Sequence, residues 1–353
     1  LGSASLLRVL LVVVPIPLGA LGAWRLFARS GSERAPVAAA FLYAASPLPY
    51  NAIAGGSVQA LILYASLPWV VAHVMSMMNT YVIGIPRARN GAVISLMTIL
   101  AFVIAFSPFA ASAVIVIVIG FVVGSFLAGD MRGVPALLVG TALALAGAVL
   151  LNLPFLSELQ SWEMVAGAQG SGATDVPLTT LLTLSTGPIG SSVLGWAIFA
   201  PAFVPLLSGA GERFTWAMRI WGTMLLTWAA AWASVRGWFP IGLPVLEVLL
   251  APIALGFAVL GGLATMVLDV DLVGARARRL APAVVGAIGL GLALFPLLAG
   301  SFTGRWELAR VDLATTYGAI DAPSEDGTYR VLWIGEAHVL GASSISTAND
   351  LAW

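Results

Sequence analysis

Residues 46–70 read SPLPYNAIAGGSVQALILYASLPWV and join two apolar runs through a turn holding Pro47, Pro49, Tyr50, Asn51, Gly55 and Gly56. Proline removes a backbone donor and clashes with the preceding helical turn, so Pro47 and Pro49 are expected to end the run before them. Gly55 and Gly56 open backbone conformations closed to other residues. Irregular backbone at membrane depth is tolerated only where protein buries it or water reaches it. Tyr50, Asn51, Ser57 and Gln59 are therefore expected to line a polar recess as ligand-binding groups. The same residues also fit a tight helical hairpin anchored at the interface by Tyr50, Tyr64 and Trp69.

The runs on either side belong to a chain of 353 residues that is 60% hydrophobic and 9% charged. Its mean hydropathy is +1.00. Soluble domains carry about 25% charged residues, so the composition indicates a polytopic membrane protein. The net charge of zero leaves no electrostatic case for a nucleic-acid partner. All 16 basic residues are Arg, a bias expected of a GC-rich bacterial genome. Without cysteine there is no disulfide framework and no thiolate site. His73 and His338 lie far apart, which argues against a histidine metal cluster, and no cofactor is implied.

A bilayer core about 30 Å thick requires roughly 20 apolar residues per helix. Runs of this kind occupy approximately 4–24, 36–49, 57–77, 91–106, 109–128, 134–153, 190–208, 214–235, 246–268 and 280–301, about ten transmembrane helices. Cytoplasmic loops collect Arg and Lys. Arg25, Arg29, Arg34, Arg87, Arg89, Arg132, Arg213, Arg276, Arg278 and Arg279 all fall in every second loop. The alternate loops, 50–56, 107–108, 154–189 and 236–245, hold only Arg236. This alternation orients the chain as a multi-pass protein of a bacterial plasma membrane, with the 46–57 turn and the C-terminal tail outside. Leu1 opens directly inside an apolar run, as expected of a fragment whose N-terminal part lies elsewhere.

The expected organisation is an all-α transmembrane domain over 1–301, followed by the start of an extracytoplasmic soluble domain over 302–353. In that tail Thr328 to Gly335 (TYRVLWIG) carries a strand signal, so the exported part is expected to contain β structure. The outer loop offers Glu158 and Glu163 beside Gln160 and Trp162. A carboxylate can serve as general base toward a hydroxyl, and an indole stacks on a pyranose face. Glu158 and Glu163 are thus the candidate catalytic residues, and Trp162 a candidate substrate-binding residue. An ordinary solvated loop, or a helix lying on the membrane surface, fits the same stretch.

Weaker signals are Glu247 near the outer end of a span, and Arg8 and Arg219 within spans. Arg219 lies close enough to the inner face to snorkel. No ionisable pair is evident at midplane, which disfavours an ion- or proton-coupled transporter. No phosphate-binding loop, dinucleotide fingerprint or metalloprotease motif occurs.

The stretch YAASPLPYNAIAGGSVQALILYASLPWVV resembles a motif in large actinobacterial envelope proteins, as YRVLWIGEAHVL in the tail resembles the segment after their last span. Those proteins often carry a cytoplasmic nucleotide-sugar glycosyltransferase domain before a multi-span region. The span region is also similar to integral-membrane glycosyltransferases that use polyprenyl-phosphate sugars, including arabinofuranosyltransferases. The run Ala54-Gly55-Gly56-Ser57 lacks the charged residue that such motifs often place beside the glycine. The resemblance implies a cell-envelope glycosyltransferase whose partners are the lipid bilayer and a polyprenyl-linked sugar or glycan. A non-catalytic translocator or scaffold for a cytoplasmic transferase domain on the same chain is the alternative it leaves open.

Overall fold

The computed structural model describes residues 10–78, 89–158, 176–187, 189–190, 194–238 and 246–271, with a few helical positions between 284 and 291. The described residues are helical throughout, without strands. In chain order the elements are α1 (Pro15–Phe27), α2 (Arg34–Ala44), α3 (Leu48–Ala54), α4 (Val58–Met77), α5 (Arg89–Phe106) and α6 (Ala110–Leu127). They continue with α7 (Val134–Glu158), α8 (Leu178–Thr183), a 3-10 turn (Leu194–Ile198), α9 (Phe199–Ser208), α10 (Glu212–Val235) and α11 (Leu246–Met266), which ends in a π-turn, Val267–Asp271.

Among the described residues six helical stretches are long and apolar enough to cross a bilayer: Leu10–Phe27, Arg34–Ala54, Val58–Met77, Ala110–Leu127, Val134–Pro154 and Leu246–Asp269. The sequence count of ten is larger for identifiable reasons. Gly91–Phe106 and Gly195–Ser208 are apolar but short. Helix α10 is long enough, but Arg219 and its run of Thr and Trp lower its hydropathy. The expected tenth span, most of 280–301, and the expected β-containing tail, 302–353, lie outside the described residues.

Helix α11 is the axis of the bundle. In its span 89% of residues are buried, against 33% for the peripheral spans that contain α1 and α7. It packs on α2, α10, α9, α4 and α3. The peripheral helices turn Leu18, Leu21, Leu138, Leu143 and Leu150 outward, as a lipid environment favours. Since lipid tails are as apolar as leucine, close packing rather than water exclusion holds such helices together. Helices α6 and α10 meet at Gly120 and Gly124, where an added Cβ would run into the backbone of Thr223 and Arg219. Gly222 faces them, with its Cβ position 2.7 Å from Gly120 O. Buried Asn152 ties α7 to α5, its Nδ2 donating to Ala101 O at 2.9 Å and Ala148 O at 2.8 Å.

Contacts between loops follow the alternation of Arg. At one end Ser32 Oγ donates to Asp269 Oδ2 at 2.7 Å, joining the α1–α2 loop to the end of α11. Arg219 near the start of α10 reaches Asp130, after α6, at the same basic end. At the opposite end Asn51 meets Ile189. The Ser32–Asp269 and Asn51–Ile189 contacts each pair segments of one set.

Candidate functional site

The quoted stretch is more regular than its prolines suggest. Helix α2 stops at Ala44, and α3 starts at once, with Pro47 at its N-cap position and Pro49 in its first turn. Proline suits a first helical turn because its missing N–H is not needed there. The run does end ahead of Pro47, as its prolines predict, but Tyr50 and Asn51 sit on a new short helix, not in an open turn. Gly56 takes φ +68° and donates to Ile53 O at 3.1 Å, and Ser57 N–H donates to Ala52 O at 2.8 Å. This pair of bonds is a Schellman cap, which needs a left-handed residue and hence glycine. Ser57 then caps α4 by accepting from Ala60 N–H at 3.4 Å.

Two prolines also explain the tyrosines. Each occurs as Tyr-x-x-x-Pro: Tyr43 before Pro47 and Tyr64 before Pro68. A proline cannot donate to the carbonyl four residues earlier; Tyr43 O keeps Ser46 N–H as a donor at 3.1 Å. Tyr43 Oη donates to Tyr64 O at 2.6 Å, and Tyr64 Oη donates to Tyr43 O. Their rings stack with centroids 4.1 Å apart. Gly19 of α1 lies flat against the pair, its Cβ position 2.8 Å from Tyr43 Cε1.

Of the predicted ligand-binding residues, Tyr50 donates to Ala44 O at 3.0 Å. Asn51 is 2% exposed. Its Nδ2 donates to Ile189 O at 2.8 Å, and its Oδ1 accepts from Ile189 N–H at 2.9 Å. Gln59 is half-buried, and its Oε1 has no hydrogen-bond partner. Glu158 closes α7, with its side chain outside the described residues, as are Gln160, Trp162 and Glu163. Glu247 is half-buried in the first turn of α11. The structure thus gathers Tyr50, Asn51, Ser57 and Gln59 at one end of the bundle and adds the 184–190 loop to them.

The sequence reading places that loop at the end of the 154–189 connection but not against Asn51. It begins at Leu184, buried and left-handed at φ 59°, and ends at Gly190, φ 109°. Trp228 Nε1 donates to Leu181 O at 3.1 Å and fixes α8 just before it. Nothing local in the sequence marks Ile189 as the partner of Asn51.

The basic end holds a second polar cluster. Arg219, 1% exposed, donates from Nε to Ser125 Oγ at 2.8 Å and from Nη2 to Asp130 O at 3.3 Å. Its Nη2 lies 3.7 Å from Asp130 Oδ2, and its guanidinium sits 4.7 Å over the Trp216 ring. Arg219 is therefore paired and buried; it does not snorkel, because Asp130 and Ser125 satisfy it inside the protein. The Arg132 side chain donates to Asp130 Oδ1 at 2.9 Å and, with lesser help from Arg219, holds that carboxyl below the usual carboxylate range. His73 is buried within α4. Among the described residues no group of three or more His, Asp or Glu is placed to hold a metal.

Comparison with known protein families, curated proteins and solved structures finds no match.

Proposed function

We propose that this chain is the membrane region of a bacterial cell-envelope glycosyltransferase, which binds a polyprenyl-linked sugar or glycan at the end of the bundle carrying α3 and the 184–190 loop. The observation that carries this reading is the Asn51–Ile189 clamp. It draws the stretch that resembles envelope transferases against a strained loop, and strained backbone clusters at functional sites. Helix α7 ends at Glu158 on the same side of the bundle by the alternation of its loops. In this reading Glu158 or Glu163 is the general base, Trp162 stacks on the sugar, and Gln59 offers an acceptor to its hydroxyls.

The test is transfer from a polyprenyl-phosphate sugar in membranes holding the protein with Glu158→Gln and Glu163→Gln together. Loss of a general base lowers rate roughly 10²-fold or more, and retained transfer would sink the catalytic role. A second reading, a non-catalytic translocator or scaffold, is favoured by one observation: Tyr50, Asn51 and Ser57 all direct polar groups to backbone of this chain. Under it the double variant still supports delivery of glycan across the membrane.

A further inference from the structure

Helices α6 and α11 both pack closely on α10 and only lightly on each other, and a cleft opens between the three. Buried Ala113, Thr227, Val248 and Pro252 form its inner wall, and half-buried Val116 and Ala230 stand at its rim. Each helix contributes residues three or four apart, which share one face. The polar atoms of this wall turn back to their own helices. Ser112 Oγ donates to Phe109 O at 2.7 Å, and Thr227 Oγ1 donates to Thr223 O at 2.8 Å. The cleft therefore offers methyl and methylene groups and no free hydrogen-bonding side chain.

Three helix ends fix its depth. At 1.5 Å per residue, the lining residues lie roughly 3–12 Å inward from Ala110, Val235 and Leu246, where α6, α10 and α11 begin or end. Both α6 and α11 belong to stretches apolar enough to cross a bilayer, so a polar ligand at that depth would lose its water without gaining a partner. Gly289, in the apolar run after α11, packs elsewhere, with its Cβ position 2.7 Å from Ala197 O and 2.9 Å from Pro201. The cleft also adjoins the proposed site. Helix α11 lines it with its first two turns and packs on α3 as well, and Trp228, next to Thr227, donates to Leu181 O in α8. We propose that the cleft holds part of the isoprenoid chain of the polyprenyl-linked donor, whose head group lies at the α3 end. A chain tethered there reaches the cleft at a raised local concentration, which bulk acyl chains do not share. The isoprenoid identity rests on the transferase reading above, whereas the cleft and its depth stand without it.

The test is photo-crosslinking in lipid nanodiscs with a polyprenyl phosphate that carries a diazirine in its chain. Mass-spectrometric mapping should place adducts on 112–116, 227–230 and 248–252 at least about tenfold more densely than on Val139, Leu143 and Leu150, which face outward from α7. A phospholipid with the diazirine in its acyl chain should mark both regions alike. Ala230→Phe and Val116→Phe, on two different helices, each fill the cleft from its rim and should lower its adducts about tenfold while those on α7 stay constant. Leu143→Phe, at a position 59% exposed on α7, should leave the cleft adducts unchanged. Excess unlabelled polyprenyl phosphate should compete them away, and stearyl phosphate at the same concentration should not.

Even adducts from the polyprenyl probe, or adducts that survive both rim variants, would overturn the site. A cleft preference shared by the phospholipid probe, or equal competition by stearyl phosphate, would overturn the isoprenoid assignment. Sugar transfer, assayed separately, keeps the two readings apart. Cleft labelling in a protein that transfers no sugar strikes the transferase reading, and transfer that persists in rim variants whose labelling is lost strikes the cleft.

Discussion

Tyr43 and Tyr64 each supply a hydrogen bond to the backbone carbonyl of the other; Pro68 cannot donate to Tyr64 O, whereas Tyr43 O also accepts from Ser46 N–H at 3.1 Å. Membrane helices tolerate proline where neighbouring groups satisfy the freed backbone. Here Tyr43 of α2 performs that service for the Pro68 break inside α4. Tyr43→Phe keeps the ring stack and strands Tyr64 O, a loss of about 1–2 kcal/mol. Pro68→Ala returns an N–H to that carbonyl, so adding it should make Tyr43→Phe nearly free. Unfolding midpoints of the four proteins in detergent give the answer, and additive losses would refute the account.

The two adjacent glycines should behave differently. Gly56 has φ +68°, and a side chain there costs roughly 1 kcal/mol through left-handed backbone strain alone. Gly55 is ordinary helical backbone, and an added Cβ would meet Asn51 O at 3.4 Å. Gly55→Ala should thus fall within about 0.5 kcal/mol of the parent. Gly124→Ala should cost more than either, about 1–3 kcal/mol, because its methyl meets the α10 backbone, which cannot rotate aside. Thermal or denaturant unfolding ranks the three.

Removing Asp130 leaves Arg219 buried without its counter-ion, which costs about 3 kcal/mol. Arg219→Met with Asp130→Asn removes both charges and should recover most of that loss. The pH dependence has a defined sign. Folding lowers the Asp130 pKa, so its contribution is present above the ordinary carboxylate value near 4. It is lost as pH falls through the lowered folded value. Asp130→Asn should flatten that acid limb of the stability profile, measured by melting at stepped pH.

Asn152→Leu should loosen α7 from α5 by about 1 kcal/mol, the scale of an interhelical hydrogen bond in a bilayer. A single-cysteine pair across α5 and α7 would read this as faster exchange of the cross-link, and an unchanged rate would show that packing alone holds α7.

Much of this was legible in the sequence because it is local. Apolar length marks the spans, proline and glycine mark their breaks, and the spacing of Arg sorts the loops into two sets that the contacts respect. The twin Tyr-x-x-x-Pro segments and the Gly120-x-x-x-Gly124 pair were also there to be read, each with a physical meaning that needs no partner to be named. What resisted reading was partnership at a distance. Asn51 looks like a surface polar group until Ile189, 138 residues away, is placed against it. Arg219 looks like a snorkelling cation until Asp130 arrives from 89 residues upstream. Local sequence states what a group needs, but only the fold states what meets the need.

The position of α11 has a consequence for biogenesis. Ten helices precede it in the described chain, yet it lies at their centre. A ribosome delivers those ten to the bilayer before the axis they surround exists. Until Leu246–Met266 emerges, Leu42 and Phe27, which later close against Gly261 and Gly262, have no partner there. The earlier helices already pair with one another, α6 with α10, α5 with α7 and α1 with α2 and α4, and the late helix closes these pairs around a common axis.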